Sequence, residues 1–164
     1  MTSENDNTPP IATLTPSPFR RHFASGVQLV LGLFLIYSAL TNDGTTLGLK
    51  LLLIAFGLLV MFNASRMYRA TGTFLALTPD GLFDGNGKVL AAIDDIKKVD
   101  RGILAFKPSQ GFLIVLNSRA KGGWAPGLWW RLGKQMGIGG VTSPAEGKYM
   151  AEQLQALLLE RQNG

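Results

Sequence analysis

The sequence predicts an α+β membrane protein, in which a two-helix transmembrane hairpin precedes an antiparallel β domain closed by a C-terminal α-helix. Two observations predict this class. The 164-residue chain is 46% hydrophobic as a whole, but its apolar residues are concentrated between residues 23 and 62. From residue 71 onwards, short apolar runs alternate with turn residues and end in one amphipathic helical pattern. We therefore divide the chain into a disordered tail (1–22), a hairpin (23–66) and a β/α domain (71–164).

The N-terminal tail is predicted to be disordered from its composition. Residues 1–19 combine polar residues with several prolines, among them Pro9, Pro10 and Pro16, and contain few large apolar side chains. Such a segment cannot bury enough apolar surface to offset the entropy of ordering. A solvated tail is the simplest interpretation, and a targeting or docking segment is the alternative.

The two apolar stretches, 23–40 and 47–64, are predicted to be membrane spans. The first contains no charge, and its eighteen residues reach about 27 Å as a helix, close to the ~30 Å hydrocarbon core. Residues 47–62 include eleven Leu, Ile, Phe or Val residues, which contribute on the order of −3 to −7 kcal/mol to insertion. The one charge of this stretch, Lys50, lies one turn from its end, where the stem can extend to the headgroups.

Charge predicts the orientation of the hairpin. Residues 41–46 (TNDGTT) favour a tight turn, and a link this short makes the two helices antiparallel. The turn carries only Asp43, whereas arginines flank the outer ends of both spans (Arg20, Arg21, Arg66 and Arg69). By the positive-inside rule, both termini are cytoplasmic and the turn faces outward. We expect a multi-pass protein of the cell inner (plasma) membrane.

Two other interpretations of the apolar stretches are weaker. The first stretch is longer than the apolar region of a usual signal peptide, and a cut after Ala39 would place Tyr37 where a small residue is needed. Alternatively, both stretches would be core helices of a soluble protein. Two successive helices that are apolar on every face are unusual in a soluble chain of this length.

The domain that follows is predicted to be built from short strands and one helix. Strands are predicted at 73–77, 82–83, 88–91, 103–106 and 112–116. The sequence DGNG at 84–87 favours a β-hairpin turn. In residues 92–99, Ile93, Ile96 and Val99 are expected to face inward, because exposed charges separate them.

The C-terminal helix has the clearest signal of the domain. Ser143, Pro144 and Glu146 match a capping box, with the serine as N-cap, proline in the first turn and glutamate at the third position. Apolar residues at positions i, i+4, i+7 and i+8 then form one stripe (Met150, Leu154, Leu157 and Leu158). A single amphipathic helix of this kind is expected to cover an open sheet or one end of a barrel.

The order of these elements resembles a known family. A hydrophobic hairpin followed by LTPDGL at 77–82, IDDIKKV at 93–99 and a capped terminal helix is similar to the small two-span type of bacterial PH-like domain membrane proteins. The resemblance covers about residues 23–160. It implies a curved antiparallel sheet closed by the helix and a non-enzymatic role, and it brings no catalytic residues.

Few residues in the chain suit catalysis. There is no cysteine, and the only histidine, His22, lies at the predicted membrane boundary, so a histidine-based metal cluster or catalytic pair cannot be assembled. Asp94 and Asp95 are adjacent and point in different directions on a strand or a helix. They are interpreted as solvated charges, with a general acid/base pair as the alternative. We expect no enzymatic activity, no metal and no cofactor.

The segment 119–134 is the strongest candidate for a functional site. It holds all three tryptophans and four basic residues around them (Trp124, Trp129, Trp130, Arg119, Lys121, Arg131 and Lys134). Tryptophan favours the headgroup zone, and a basic side chain gains roughly 1 kcal/mol near anionic lipid. As a loop, this segment could lie on the inner leaflet. The alternatives are core packing of the tryptophans and contact with a protein or nucleic-acid partner.

We therefore expect a non-catalytic, membrane-anchored interaction or scaffolding module. Its expected partners are the lipid bilayer with its anionic headgroups, a membrane protein or a second copy of the chain; the predicted anchor argues against nucleic acid. The alternative is an accessory subunit of a transporter or membrane enzyme complex, bound through the hairpin. Gln28 and the glycines of the spans could serve such contacts or packing within the hairpin itself.

Overall fold

The computed structural model describes residues 9–100, 111–119 and 121–163, and it confirms an α+β chain with two long apolar helices, antiparallel sheets and a C-terminal helix. The helices are α1 (Pro18–Thr41), α2 (Leu47–Ala70) and α3 (Pro144–Asn163). The strands are β1 (Ala12–Leu14), β2 (Leu75–Thr78), β3 (Gly81–Asp84), β4 (Val89–Ala92), β5 (Ile96–Asp100), β6 (Phe112–Leu116), β7 (Gly123–Ala125), β8 (Trp129–Leu132) and β9 (Gln135–Ile138), with a 3₁₀ turn at Ile93–Asp95.

The helices α1 and α2 pack against each other through small residues. Their backbones approach closely at two glycines, since a Cβ atom added to Gly57 would lie 2.8 Å from the carbonyl oxygen of Gly32. Large apolar side chains point outward instead: Phe34 is 62% exposed and Leu52 is 61% exposed. Both helices are long and apolar enough to cross a membrane by length and composition. Their outer surface is unlike that of buried core helices.

Both helices extend beyond the predicted spans at the end nearest the β domain. The predicted bounds were 23–40 and 47–64, whereas α1 begins at Pro18 and α2 continues to Ala70. Proline is well suited to the first turn of a helix, and no helix breaker follows residue 64 until Gly72. The arginines that flank the apolar stretches therefore belong to the helices, and α2 leads into the domain within a few residues.

The prediction of a disordered tail is wrong for the residues just before α1. Ala12–Leu14 forms strand β1, which pairs antiparallel with β2, and Leu14 is fully buried. The backbone N–H of Ile11 donates to the carbonyl oxygen of Leu77 at 2.8 Å. The polar and proline-rich surroundings obscure this short apolar segment, and its partner strand lies about 60 residues away in sequence. The helix hairpin is thus inserted between the first and second strands of the β domain.

The strands form two antiparallel sheets with the orders β1-β2-β3-β4 and β5-β6-β9-β8-β7. The predicted hairpin at 82–91 is confirmed, and the Asp84 carboxylate accepts hydrogen bonds from two N–H groups of its turn. Strand β6 matches the predicted strand at 112–116, and it pairs with β5 and β9. Its predicted partner at 103–106 lies outside the described residues. The segment 119–134, predicted as a loop, contains strands β7 and β8.

The core lies between the two sheets and helix α3. Met150 and Leu154 are fully buried, and Leu157 and Leu158 pack against the same cluster, as the stripe predicted. Ile93 and Ile96 are buried, and Val99 packs against the core. The two sheets and α3 therefore share one hydrophobic interior.

The predicted capping box takes a different form in the structure. The carboxylate of Glu146 does not return to the N–H of Ser143, because its Oε2 accepts from both the N–H and the hydroxyl of Thr15, each at 2.7 Å. The N–H of Ser143 donates to the carbonyl oxygen of Thr15 at 3.4 Å. The signature therefore marks the start of α3 correctly, but its glutamate attaches the segment after β1 to the helix.

Candidate functional site

The end of the helix hairpin is held by one hydrogen bond to the β domain and by others within the hairpin itself. Arg20 Nη1 donates to the carbonyl oxygen of Thr142 at 3.3 Å. Arg21 Nη2 donates to the carbonyl oxygen of Tyr68 at 2.8 Å, and its guanidinium lies 4.0 Å from the centre of the Tyr68 ring. Thr71, which is 2% exposed, donates its hydroxyl to the carbonyl oxygen of Met67 at 2.7 Å. Two arginines predicted only as topology signals thus also hold the hairpin in place.

A glycine allows the turn between β7 and β8 to touch the end of α2. Gly127 has φ +79°, and an added Cβ atom would lie 3.1 Å from Thr71 Cγ2 and 3.2 Å from Met67 Cγ. A larger residue would push the two elements apart and would also strain the backbone. This contact places one end of β7 and β8 beside the cytoplasmic-side end predicted for α2.

The structure divides the three tryptophans between two faces of the sheet. Trp124 and Trp130 are directly opposite each other on β7 and β8, so their side chains share a face. Trp129 is adjacent to Trp130 and points to the other face, where it packs against the core. Trp124 is 53% exposed. Core packing therefore accounts for Trp129, and Trp124 exposes about half of its surface.

Trp124 also contacts the helix hairpin. The guanidinium carbon of Arg66, on α2, lies 5.4 Å from the centre of the Trp124 ring, within the range of a cation–π contact. Stacking on a ring uses the flat face of the guanidinium and leaves the N–H groups at its edge available. Sequence reasoning used Arg66 only as a topology signal, because nothing in the local pattern indicates a partner about 60 residues away.

The four basic residues of the segment have different roles. Arg131 donates to the carbonyl oxygens of Leu90 and Lys121, so its guanidinium connects β8 to β4 and to the chain before β7. Arg119, Lys121 and Lys134 are exposed. Of the four predicted contact residues, these three have side chains positioned to meet an anionic surface.

The exposed basic residues gather at the far end of the strands from α2. The N–H of Leu116 donates to the carbonyl oxygen of Lys134 at 2.8 Å, which brings the chain after β6 to the turn between β8 and β9. Leu132, beside that turn, is 76% exposed. Trp124 lies opposite Trp130, and two further residues of β8, roughly 7 Å of strand, lie between Trp130 and the turn that holds Lys134. Trp124 and the basic end therefore form two separate patches of one hairpin.

A groove opens between α1 and α2 next to Trp124. We call it the interhelix groove; its lining includes Gln28, Leu31, Phe56, Asn63, Arg66 and Trp124, and its volume is about 510 Å³. Its wall is mostly apolar, but Asn63 Nδ2 donates to Gln28 Oε1 at 3.3 Å. Of the two roles considered for Gln28 from the sequence, this bond places Gln28 in packing within the hairpin itself. Asn63 was missed, because one asparagine in an apolar run is a weak signal without its partner.

The adjacent aspartates have structural partners. Asp94 forms an ion pair with Arg161 near the end of α3, and the Asp95 carboxylate accepts from the N–H of Ser118 at 2.8 Å. Asp94 is strongly exposed, as expected of a solvated charge. Within the part of the chain that the structure describes, no three His, Cys, Asp or Glu side chains lie close enough together to hold a metal ion.

Comparison with known proteins gives no further constraint: no family model, curated protein or solved structure matches this chain. The resemblance to PH-like domain membrane proteins is therefore neither supported nor contradicted. The class that the fold defines is a chain with two apolar helices, long enough to cross a membrane, inserted into a domain of two antiparallel sheets and a helix.

Proposed function

We propose that the chain is a non-catalytic, membrane-anchored interaction module whose PH-like β domain is held against the inner leaflet of the cell membrane. The observation that carries the proposal is the contact between Arg66 and Trp124. It puts an exposed tryptophan of the domain at the end of an apolar helix, where the headgroup zone would lie if that helix crosses the bilayer.

The attachment of the hairpin supports a fixed position for the domain. Arg20 hydrogen-bonds α1 to Thr142, Arg21 ties α1 to the end of α2, and Gly127 of the β domain packs tightly against α2. A domain held this way presents one constant surface to the membrane. Trp124 lies on that surface. The exposed basic residues at the other end of the strands (Arg119, Lys121 and Lys134), together with Leu132, reach the headgroups if the strands lie flat along the membrane.

The pairing of β1 with β2 supports the proposed topology. These strands lie on either side of the hairpin in sequence, so the chain must leave the membrane on the side where it entered. With arginines at that side and only Asp43 in the turn, the positive-inside rule makes it the cytoplasmic side.

Fluorescence quenching in nanodiscs tests the position of the domain. Replacing Trp129 and Trp130 with Phe leaves Trp124 as the only tryptophan, and replacing Trp124 and Trp130 leaves Trp129 as a matched control. We expect lipid brominated near the headgroup end of its chains to quench Trp124 strongly and Trp129 weakly. Quenching of Trp124 by iodide in the water, without quenching by brominated lipid, would contradict the proposal.

Cysteine labelling in intact cells tests the orientation. Because the chain has no cysteine, Thr45→Cys and Ser118→Cys each introduce a single thiol. An impermeant reagent is expected to label Thr45→Cys, in the outer turn, and to label Ser118→Cys only after the cells are opened. Labelling of Ser118→Cys in unbroken cells would place the domain outside and refute the orientation.

A further inference from the structure

We infer that the interhelix groove binds one anionic phospholipid of the inner leaflet, with the phosphate at Arg66 and an acyl chain along the apolar wall. The inference rests on the proposed function, because it requires α1 and α2 to cross the membrane.

The length of the groove matches one leaflet. Arg66 lies at its domain end and Phe56 at its inner end, ten residues away on α2. Ten helical residues rise about 15 Å, which is half of a ~30 Å hydrocarbon core. The groove therefore runs from the headgroup level to about the middle of the bilayer. Its volume of about 510 Å³ lies within the range of small-molecule sites, roughly 300–1,000 Å³.

The polar groups of the groove lie at the depths where a phospholipid has polar groups. Arg66, which is exposed beside Trp124, suits the phosphate, because guanidinium N–H groups form charge-assisted hydrogen bonds to phosphate oxygens. Asn63 lies one turn deeper, about 4.5 Å along the helix, at the level of the ester carbonyls. The amides of Asn63 and Gln28 are partly buried there and can donate to ester oxygens.

The Asn63–Gln28 pair is incompletely satisfied by the protein. Their one mutual bond is 3.3 Å long, and Gln28 Nε2 otherwise meets only the sulfur of Met67 at 3.8 Å. Among the described residues, nothing donates to Asn63 Oδ1. Polar groups in the hydrocarbon region are costly unless they have partners, so their place in an open groove indicates a ligand with polar atoms at that depth.

A lipid fits the shape of the groove better than a helix of another protein. Trp124, from the β domain, stands at the Arg66 end of the groove. A partner helix continuing out of the membrane would meet this domain, whereas a phospholipid ends at the headgroup level. Arg66 also favours an anionic ligand, and the inner leaflet supplies anionic lipids.

The test measures lipid retained by the full chain in mild detergent, using native mass spectrometry with added phosphatidylglycerol or phosphatidylcholine. We expect phosphatidylglycerol to bind as a single molecule and more tightly than phosphatidylcholine. Arg66→Gln should weaken phosphatidylglycerol binding about 10- to 100-fold, the range for a hydrogen bond to a charged group. Arg69→Gln is the matched control, since Arg69 is on the same helix and does not line the groove.

A second variant tests the acyl-chain part of the site. Val60 lines the apolar wall, and Val60→Phe should fill the space and weaken the binding of both lipids. Equal retention by the wild type, Arg66→Gln and Val60→Phe would overturn the inference. The inference would also be overturned if the native mass spectrum shows a dimer or a co-purified membrane protein and Val60→Phe abolishes that assembly.

Failure of this inference can be distinguished from failure of the proposed function. Quenching of Trp124 by brominated lipid with no specific lipid retention would leave the membrane position intact and reject the site. Quenching of Trp124 by iodide but not by brominated lipid would reject both the membrane position and the lipid site.

Discussion

The burial of Leu14 leads to a prediction about how the β domain is held together. Leu14 is fully buried against the core, although it precedes the hairpin by a few residues and belongs to a segment whose composition predicts disorder. Leu14→Ala removes three carbon atoms, which at about 0.8 kcal/mol each is about 2.4 kcal/mol of lost transfer free energy. The cavity left behind adds to this, so the expected loss of stability is about 2–5 kcal/mol.

The measurement is hydrogen exchange of the full chain in nanodiscs, followed on peptides that cover strand β2. If β1 protects β2, a loss of about 2–5 kcal/mol accelerates exchange there about 25-fold to a few thousand-fold. Thr13→Ala is the matched control, because Thr13 is in the same strand with an exposed side chain. Its effect on exchange should be small.

The reasoning would be refuted by equal exchange rates in β2 for Leu14→Ala and Thr13→Ala. That result would mean that β1 contributes nothing to the sheet and that the N-terminal segment is a tail after all. The full chain is needed, because a fragment that begins at residue 71 lacks β1 and exposes the core that Leu14 covers.

Three further predictions follow from contacts between elements. Gly57→Val would place a Cβ atom 2.8 Å from a backbone oxygen of α1 and should therefore separate the helices. Circular dichroism in detergent should show a lower thermal stability of the hairpin. Arg131→Gln should destabilise the β domain by about 1–3 kcal/mol in denaturant unfolding, because two carbonyl oxygens lose their donor. The control Lys134→Gln should leave the free energy of unfolding unchanged. A double-mutant cycle on Asp94 and Arg161 should give a coupling of only about 0.2–1 kcal/mol, since the pair is exposed.

Sequence reasoning located the elements with strong local signals. The two apolar helices, the DGNG hairpin turn and the stripe of α3 are each determined by residues a few positions apart. Their ends were less predictable. The arginines at the hairpin ends suggested where an apolar span stops, but a helix continues through charged residues until a breaker such as Gly72.

The elements that were missed depend on partners far away in sequence. Strand β1 is three residues long and becomes recognisable only beside β2. Glu146 matches a capping box, yet its carboxylate binds Thr15, more than 100 residues earlier. The same holds for the candidate site. The tryptophans were identified from sequence, but the separation of Trp129 from Trp124 required strand register, and the roles of Arg66 and Asn63 required the packing of α1, α2 and β7.

The insertion of the hairpin between β1 and β2 has a consequence for how the domain folds. The first strand is synthesised before the hairpin, and its partner follows about 60 residues later, so in a free chain a long loop must close before the sheet can form. A hairpin whose two helices are already packed together brings both ends together and leaves an effective loop of about 8 residues. The closure entropy saved is about 2 kcal/mol, so the packing of α1 against α2 itself stabilises the β domain.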